Sequence, residues 1–201
     1  MTTTERPRRG RPRSFDREAA LDVALRLFWT RGYEATSTAE LTSAMGISMP
    51  SLYAAFGDKK TLFRETVAHY QQNYAITLDA EREGATARDV VADLLHDAAM
   101  TYADPAKPPG CLIISATANC TQASDDLEAE LRAHRDANIR ALERLIHSDI
   151  RAGHLPPDTD AHALARFFGA TIQGMAQQAR DGATRDELLV IARTALSAWP
   201  A

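Results

Sequence analysis

The sequence predicts an all-α protein of about nine helices, in which a three-helix N-terminal module precedes a larger helical bundle. Apolar residues recur at the helical period through most of the chain. Glycine, proline and hydroxyl residues stand at the positions that start and stop helices. No segment of useful length alternates apolar and polar residues as a strand does. The 201 residues suffice for one large domain or two small ones.

The first helix is predicted from about Asp16 to Arg31, where Gly32 ends it. Its apolar face is predicted to carry Ala20, Val23, Ala24, Leu27 and Phe28. The next two helices lie between Ser37 and Lys59. Ser37 and Glu40 have the spacing of a capping box, and Gly46 suits the turn that follows.

The second helix of this pair begins at Ser48, whose hydroxyl suits an N-cap, and Pro50 suits its first turn. Leu52 and Phe56 lie four residues apart and are predicted to face inward. Two short helices around a glycine turn are the layout of a helix-turn-helix, which places its second helix in the DNA major groove. An ordinary helical hairpin is the alternative.

Six further helices are predicted, and breaker residues separate several of them. The longest loop, residues 104–110, contains three prolines and a glycine, and Gly153 with Pro156 and Pro157 ends another helix. The predicted spans are about 58–83, 86–102, 111–120, 124–152, 158–180 and 184–198.

The net charge of −4 is divided unevenly along the chain. Residues 1–60 hold ten Lys and Arg against seven Asp and Glu, whereas residues 61–201 hold thirteen against twenty. Such a basic head on an acidic body is typical of a protein that binds nucleic-acid phosphates. The first thirteen residues hold five arginines. Arg9 and Arg11 are predicted to enter an A·T-rich minor groove, and a nonspecifically attractive tail is the alternative.

Several classes of protein do not fit the sequence. It has no apolar run of 18 residues and no secretory signal pattern at its N-terminus, so we expect no membrane span and a cytoplasmic location. Two cysteines do not make a disulfide framework. The six histidines form no cluster at metal-ligand spacing, and no catalytic constellation is recognisable. We therefore expect no enzyme activity, no metal and no cofactor.

Residues 15–70 closely resemble the TetR/AcrR family of bacterial transcriptional regulators. The resemblance is carried by ordered blocks at residues 24–28, 31–37, 45–48, 52–53 and 56–63, which read ALRLF, RGYEATS, MGIS, LY and FGDKKTLF. It implies a homodimeric, all-helical regulator, usually a repressor, that a small-molecule effector releases from a palindromic operator. The implied organisation is a basic flexible arm at 1–13, a helix-turn-helix DNA-binding domain at 14–60 and a helical ligand-binding and dimerisation domain at 61–201.

The resemblance implies base-edge contacts by Met49, Pro50 and Ser51 and phosphate contacts by Thr38, Tyr53 and Lys59. For Lys60, an external phosphate and a solvated charge are equally good interpretations. With the arm and the N-cap, the predicted DNA-binding residues are Arg9, Arg11, Thr38, Ser48, Met49, Pro50, Ser51, Tyr53 and Lys59.

Effector and dimer residues are predicted from the helices that serve those purposes in the family, and a place in the ordinary core is the alternative for each. The effector candidates are Tyr70, Tyr74, Leu95, Tyr102, Ile114, Phe167 and Gln173. The last two helices carry small and apolar residues at close intervals, which favours a two-fold dimer. Its candidate contacts are Phe168, Gly169, Ile172 and Leu189.

Cys111 lies at a predicted helix start, where the helix dipole lowers a thiol pKa. It is a candidate electrophile or oxidant sensor, and a small buried residue is the alternative. Cys120 would lie on the opposite side of the predicted helix, so we expect no disulfide between the two. Three classes of function therefore remain: a ligand-responsive DNA-binding regulator, a redox sensor of the same fold, and a helical enzyme or carrier without DNA binding.

Overall fold

The structure, a computed structural model, describes residues 15–76, 78, 84–118 and 120–200. All regular elements in these ranges are helical, which confirms the predicted all-α class. There are nine α-helices and one short 3₁₀ helix in the part of the chain so described. The helices are α1 (Arg17–Arg31), α2 (Thr38–Met45), α3 (Met49–Phe56), α4 (Lys59–Asn73), α5 (Ala87–Tyr102), α6 (Leu112–Ser115), α7 (Asp125–Ala152), α8 (Ala161–Arg180) and α9 (Arg185–Leu196), with the 3₁₀ turn Gln122–Ser124 before α7.

The helix-turn-helix forms as predicted, because its signals are local. Ser37 and Glu40 make a complete capping box at the start of α2. Gly46 ends α2 in the left-handed conformation, at φ 66°. The Ser48 hydroxyl accepts the Ser51 backbone N–H at 3.3 Å and so caps α3. The two helices are therefore fixed by chemistry within their own sequence.

The head of the molecule, defined here as α1 to α3 with the first half of α4, closes over an aromatic core. Leu52 and Phe56 are buried beneath α3, and the Phe63 ring lies 5.1 Å from each of the Phe28 and Tyr33 rings. The buried side of α1 extends further than predicted, since Leu21, Leu25 and Trp29 are buried whereas Val23 and Leu27 are only half-buried. The reason is that α1 packs against α2 and α4 of the head and also against α6 of the body, the name used here for the rest of the described chain.

Helix α4 is shorter than the predicted 58–83 helix. It ends at Asn73, where the backbone N–H groups of Tyr74 and Ala75 both donate to the Tyr70 carbonyl, at 2.8 and 3.0 Å. The Tyr74 ring packs against Trp29, with centroids 6.0 Å apart. This contact packs the residue that follows α4 against the last turn of α1.

Helix α6 is also shorter than predicted, with four residues in place of the expected span 111–120. A continuing helix would require the Ala116 carbonyl to accept an N–H four residues later. That carbonyl instead accepts the Tyr33 backbone N–H at 2.8 Å. A long-range hydrogen bond from the end of α1 therefore ends α6.

The body packs α5 against α8 and α9, and α7 against α8. Asp149 of α7 is buried, and its carboxylate accepts the Ala87 backbone N–H at the start of α5 at 2.7 Å. This cap joins two helices that are distant in sequence. None of the described helices combines the length and the apolar character that crossing a membrane requires.

Candidate functional site

The first candidate surface is the outer side of α3. Pro50 and Tyr53 are exposed there, Tyr53 by 49 %, while Met49 and Ser51 are half-buried. The Ser51 hydroxyl lies 2.8 Å from the Ser48 hydroxyl, so the start of α3 presents a pair of hydrogen-bonded hydroxyls. Thr38 begins the neighbouring helix α2 and is half-buried. The predicted base-edge residues thus lie together at the start of α3, where Pro50 is exposed. Arg9 and Arg11 lie outside the described residues.

Lys59 is the first residue of α4 and lies close to the end of α3 in sequence. Its ammonium lies 4.1 Å from the centroid of the Tyr33 ring, a cation–π arrangement. Partial burial lowers the pKa of Lys59, and Glu34 opposes that shift. No carboxylate of the described residues forms an ion pair with Lys59. Its charge is held in place by the ring and stays available to an external anion.

The other basic residues of the head are engaged within the chain. Arg17 pairs with Glu65 at 2.7 Å, and Arg31 pairs with Glu40. Lys60 pairs with Asp126 of α7 at 2.7 Å. Lys60 therefore faces the body, which neither interpretation from the sequence anticipated.

Glu34 forms a polar contact between the head and the start of α7. Its carboxylate accepts the Ser124 hydroxyl at 2.5 Å and the Thr121 backbone N–H at 3.0 Å. These donors stabilise the ionised form, so they lower the pKa of Glu34 to about 2, the Ser124 bond contributing most. The Ser124 hydroxyl consequently makes no side-chain cap at the start of α7, although Ser124 stands at the N-cap position.

A lowered pKa makes this contact sensitive to acid. Its stabilisation is complete above the ordinary glutamate pKa of 4.5 and is lost as pH falls toward about 2. We expect the urea midpoint of the wild type to fall more steeply between these pH values than that of Glu34→Gln. The control is Glu18→Gln, at an exposed glutamate of α1. Parallel curves for the wild type and Glu34→Gln would contradict the assignment.

The second candidate site is a cavity of about 420 Å³ among α5, α6, α7, α8 and the end of α4. Its lining is mainly apolar and carries a few polar groups, as is typical of small-molecule sites. The lining residues are Gln71, Ala75, Ile76, Leu78, Leu94, Tyr102, Cys111, Ile113, Ile114, His134, Arg135, Ala137, Asn138, Ile139, Ala141, Leu142, Gly169, Ile172 and Gln173.

Three of the seven effector candidates, Tyr102, Ile114 and Gln173, line this cavity. Tyr70 and Leu95 are instead buried in the core, and Tyr74 packs against Trp29. Phe167 points outward from α8 and is 44 % exposed. These four candidates therefore lie outside the lining of the cavity, because helix spacing alone does not tell which face of a helix meets a cavity.

Cys111 lines the cavity as a buried thiol, and the Tyr70 hydroxyl donates to its sulfur at 3.2 Å. Burial raises the pKa of Cys111, which disfavours the reactive thiolate. The structure therefore favours the small buried residue over the sensor. Cys120 is half-buried, and both cysteines are free thiols.

The dimer candidates need a similar correction. Phe168 is fully buried and packs against the Trp199 ring at 5.3 Å, so it belongs to the core of the subunit. Gly169 and Ile172 line the cavity, and Leu189 is half-buried. The large exposed apolar side chains on α8 and α9 are those of Phe167 and Val190, the latter exposed by 52 %.

Sequence reasoning missed Asn138 and Ile113 in the cavity wall. The sequence did contain one signal for Asn138. His134, Asn138 and Ala141 follow one another on one side of α7, and they lack the Arg, Asp and Glu side chains that dominate the rest of this helix. Ile113 had no such signal, because the four residues of α6 are all apolar or small. Within the described ranges, no group of three or more His, Cys, Asp or Glu is arranged to hold a metal ion.

Comparison with known proteins agrees with this arrangement. Residues 20–66 match the family described as bacterial regulatory proteins, tetR family, and residues 91–194 match the tetracyclin repressor-like C-terminal domain. The chain is 37 % identical to the HTH-type transcriptional repressor ComR of Escherichia coli (strain K12), over 96 % of this chain and 92 % of ComR. It is 30 % identical to the HTH-type transcriptional repressor BdcR of the same strain, over 92 % of this chain and 90 % of BdcR.

Among solved structures, the chain resembles a cysteine mutant of the TetR family transcriptional regulator CifR complexed with 26-bp double-strand operator DNA. The TM-score is 0.87 and the identity 41 %, over 95 % of this chain and all of the CifR chain. Both halves of the sequence and the whole fold therefore agree on one assignment. The chain belongs to the TetR family of bacterial regulatory proteins.

Proposed function

We propose that this chain is a cytoplasmic, homodimeric repressor that binds a palindromic operator and leaves it when a small-molecule effector enters the cavity. The exposed start of α3 carries the proposal, because Leu52 and Phe56 hold the helix from behind while its outer side stays accessible. That is the geometry by which a recognition helix enters a major groove. ComR and BdcR are named as repressors, and CifR is bound to operator DNA, which supports the same role here.

The division of labour follows the helices. We assign residues 1–13 to a basic arm, 14–60 to DNA binding and 61–201 to effector binding and dimerisation. Met49, Pro50 and Ser51 would meet base edges, and Thr38, Tyr53 and Lys59 would lie near phosphates. Ser48, the N-cap of α3, would lie beside them. Methyl contacts and DNA shape would then contribute more to recognition than bidentate hydrogen bonds. We assign no enzymatic activity to the chain.

The proposed release changes the spacing of two recognition helices. They read one palindrome when they lie about one turn of DNA apart, roughly 34–36 Å. The Tyr70–Cys111 hydrogen bond joins α4, which continues from the head, to the cavity wall. An effector that displaces Cys111 or α6 would thereby shift α4 and the heads with it. A coupling of about 1–3 kcal/mol would weaken operator binding about 5–150-fold.

A gel-shift experiment with the DNA upstream of the chain's own gene tests the core of this proposal. We expect retardation by the purified dimer, competed away by unlabelled upstream DNA but not by an equal amount of shuffled DNA. Footprinting should locate the protected site on a near-palindrome. Binding that is equally strong to shuffled DNA would contradict a specific operator.

The two adjacent lysines at the start of α4 provide a matched pair for the phosphate contact. Lys59 is free to meet a phosphate, whereas Lys60 is paired with Asp126. We expect Lys59→Ala to lower the slope of log affinity against log salt by about one per protomer, since each phosphate contact releases about one counterion. Lys60→Ala should change that slope much less. Equal slopes for Lys59→Ala and the wild type would remove Lys59 from the DNA-binding residues.

A further inference from the structure

The cavity lining carries almost no charge that is free to meet a ligand. No carboxylate lines it among the described residues. The Arg135 guanidinium donates to the Ile113 carbonyl at 2.8 Å and to Glu128 at 3.3 Å, so it is already used to fasten α6 to α7. His134 is hydrogen-bonded to Gln71 at 3.1 Å. A charged ligand in this mainly apolar space would lose hydration without gaining a free partner of opposite charge.

Two neutral polar groups, by contrast, are unengaged. The side-chain amides of Asn138, which is exposed, and of Gln173, which is half-buried, line the cavity from the adjacent helices α7 and α8. Neither amide makes a hydrogen bond to another described residue. An amide offers both donors and an acceptor. In a half-enclosed site, such a group gains most from an uncharged partner that hydrogen-bonds without a large desolvation cost.

The space itself limits the size of the ligand. A volume of about 420 Å³ lies near the lower end of the range of about 300–1,000 Å³ found for small-molecule sites. Gly169 helps to keep it narrow, because a Cβ there would lie 2.9 Å from the Ile139 side chain, so α8 approaches α7 closely at this point. The isoleucine and leucine side chains around it suit a single ring with a short alkyl chain.

We propose that the effector is a small uncharged molecule with an apolar body and one hydrogen-bonding end group, which Asn138 and Gln173 recognise. That the ligand acts as an effector rests on the proposed function, whereas the chemistry by which the cavity binds it does not involve DNA. The binding preference and the release from DNA are therefore measured separately.

The binding test uses head-group series on identical bodies. The probes are 4-propyl-, 4-butyl- and 4-pentylbenzamide, each with its benzoate and benzylamine twin. We expect at least one benzamide to raise the melting temperature of the full chain by several degrees at saturation, with little or no shift for its charged twins. A charged twin that stabilises as much as its neutral partner, or a series in which no benzamide stabilises, overturns the proposal.

Variants locate the site. Gln173→Leu and Asn138→Leu, each compared with its own ligand-free melting temperature, should bind the best benzamide about 2–10-fold more weakly. Ala141→Phe, which fills the cavity, should abolish the shift. The control Gln72→Leu removes an exposed amide of α4 outside the lining and should bind as the wild type does. Unchanged binding in both amide variants overturns the assigned recognition groups even if the neutral preference holds.

A second readout tests the function. The affinity of the chain for the same benzamide is measured with and without operator DNA. The two values should differ by the same factor by which the benzamide weakens operator binding. Equal affinities, together with a clear melting shift, would leave the ligand class supported and overturn release by ligand at this cavity.

Discussion

Phe167→Glu is expected to convert the dimer into monomers and to lower operator affinity by about 10²–10⁴-fold. In a dimer, binding of one head to its half-site raises the effective concentration of the second head at the other half-site, which increases the overall operator affinity. Separate monomers lose this increase. At the proposed contact of Phe167 with a partner subunit, a carboxylate would lose hydration in a mainly apolar interface. The substitution lies on α8 and leaves the outer side of α3, the proposed DNA-binding surface, unchanged.

The surface around Phe167 has the composition of a helix-packing interface. Ala163, Phe167, Ala170 and Gly174 follow one another along one side of α8 at helical spacing, and all are exposed. Small residues there would allow a second helix to approach closely, and a Cβ at Gly174 would meet nothing within 4 Å. Val190 adds an exposed apolar side chain from α9. We therefore place the interface on this side of α8, rather than at the buried Phe168.

Sedimentation at micromolar concentration checks this prediction, with operator binding measured on the same samples. Met100→Glu is the matched control, because Met100 of α5 is also an exposed apolar side chain, by 36 %, on another helix. It should remain dimeric and bind operator normally. A dimeric Phe167→Glu protein would place the interface elsewhere, and a wild type that sediments only at 22 kDa would remove the dimer itself.

The parts of the fold that the sequence predicted well are those whose causes are local. The capping box of Ser37 and Glu40, the left-handed Gly46 and the N-cap Ser48 act within a few residues, so the helix-turn-helix could be read directly. The lengths of α4 and α6 could not. They depend on contacts between distant segments, such as the Tyr33–Ala116 hydrogen bond, that no short sequence pattern encodes.

In the candidate site, too, the sequence does not tell which face of a helix is buried. Phe167 and Phe168 are adjacent and equally apolar, yet one is exposed and the other fully buried. Neighbouring helix residues point about 100° apart, and packing against Trp199 decides which ring turns inward. Similarly, the sequence left Lys60 between two interpretations because its partner, Asp126, lies 66 residues away. Helices were predictable, but the partners of their faces were not.

A second large effect is expected at the junction of head and body, where Arg180 joins three helices. Its guanidinium, at the end of α8, donates to the Trp29 carbonyl in the last turn of α1 at 3.2 Å and lies 3.3 Å from the Ser115 hydroxyl of α6. The Trp29 carbonyl would otherwise be one of the unpaired carbonyls at a helix end. Since α8 also carries the proposed dimer surface, Arg180 links that surface directly to the head.

The loop before α6 packs against α8 next to Arg180. A Cβ at Gly110 would lie 2.6 Å from the Ala176 carbonyl and 3.0 Å from the Arg180 side chain, so the loop lies directly against α8. Gly110 also adopts a φ of 78°, which an L side chain rarely adopts. The Arg180 stem is therefore packed on one side while its head group holds α1. This enclosure limits the positions that the arginine can take.

Arg180→Ala is expected to weaken binding to the full palindrome about tenfold while leaving binding to a single half-site unchanged. If the two heads have the spacing that fits the operator only about a tenth of the time, the apparent affinity for the palindrome falls about tenfold. Binding of one head to a single half-site does not depend on that spacing. The variant should also discriminate less between palindromes whose half-sites are moved apart by one or two base pairs.

Arg151→Ala is the control, because Arg151 is an exposed arginine in the last turn of α7, away from the proposed dimer surface of α8. Equal losses on half-site and palindrome would indicate a damaged head, and no loss on either would show that Arg180 does not set the placement of the heads.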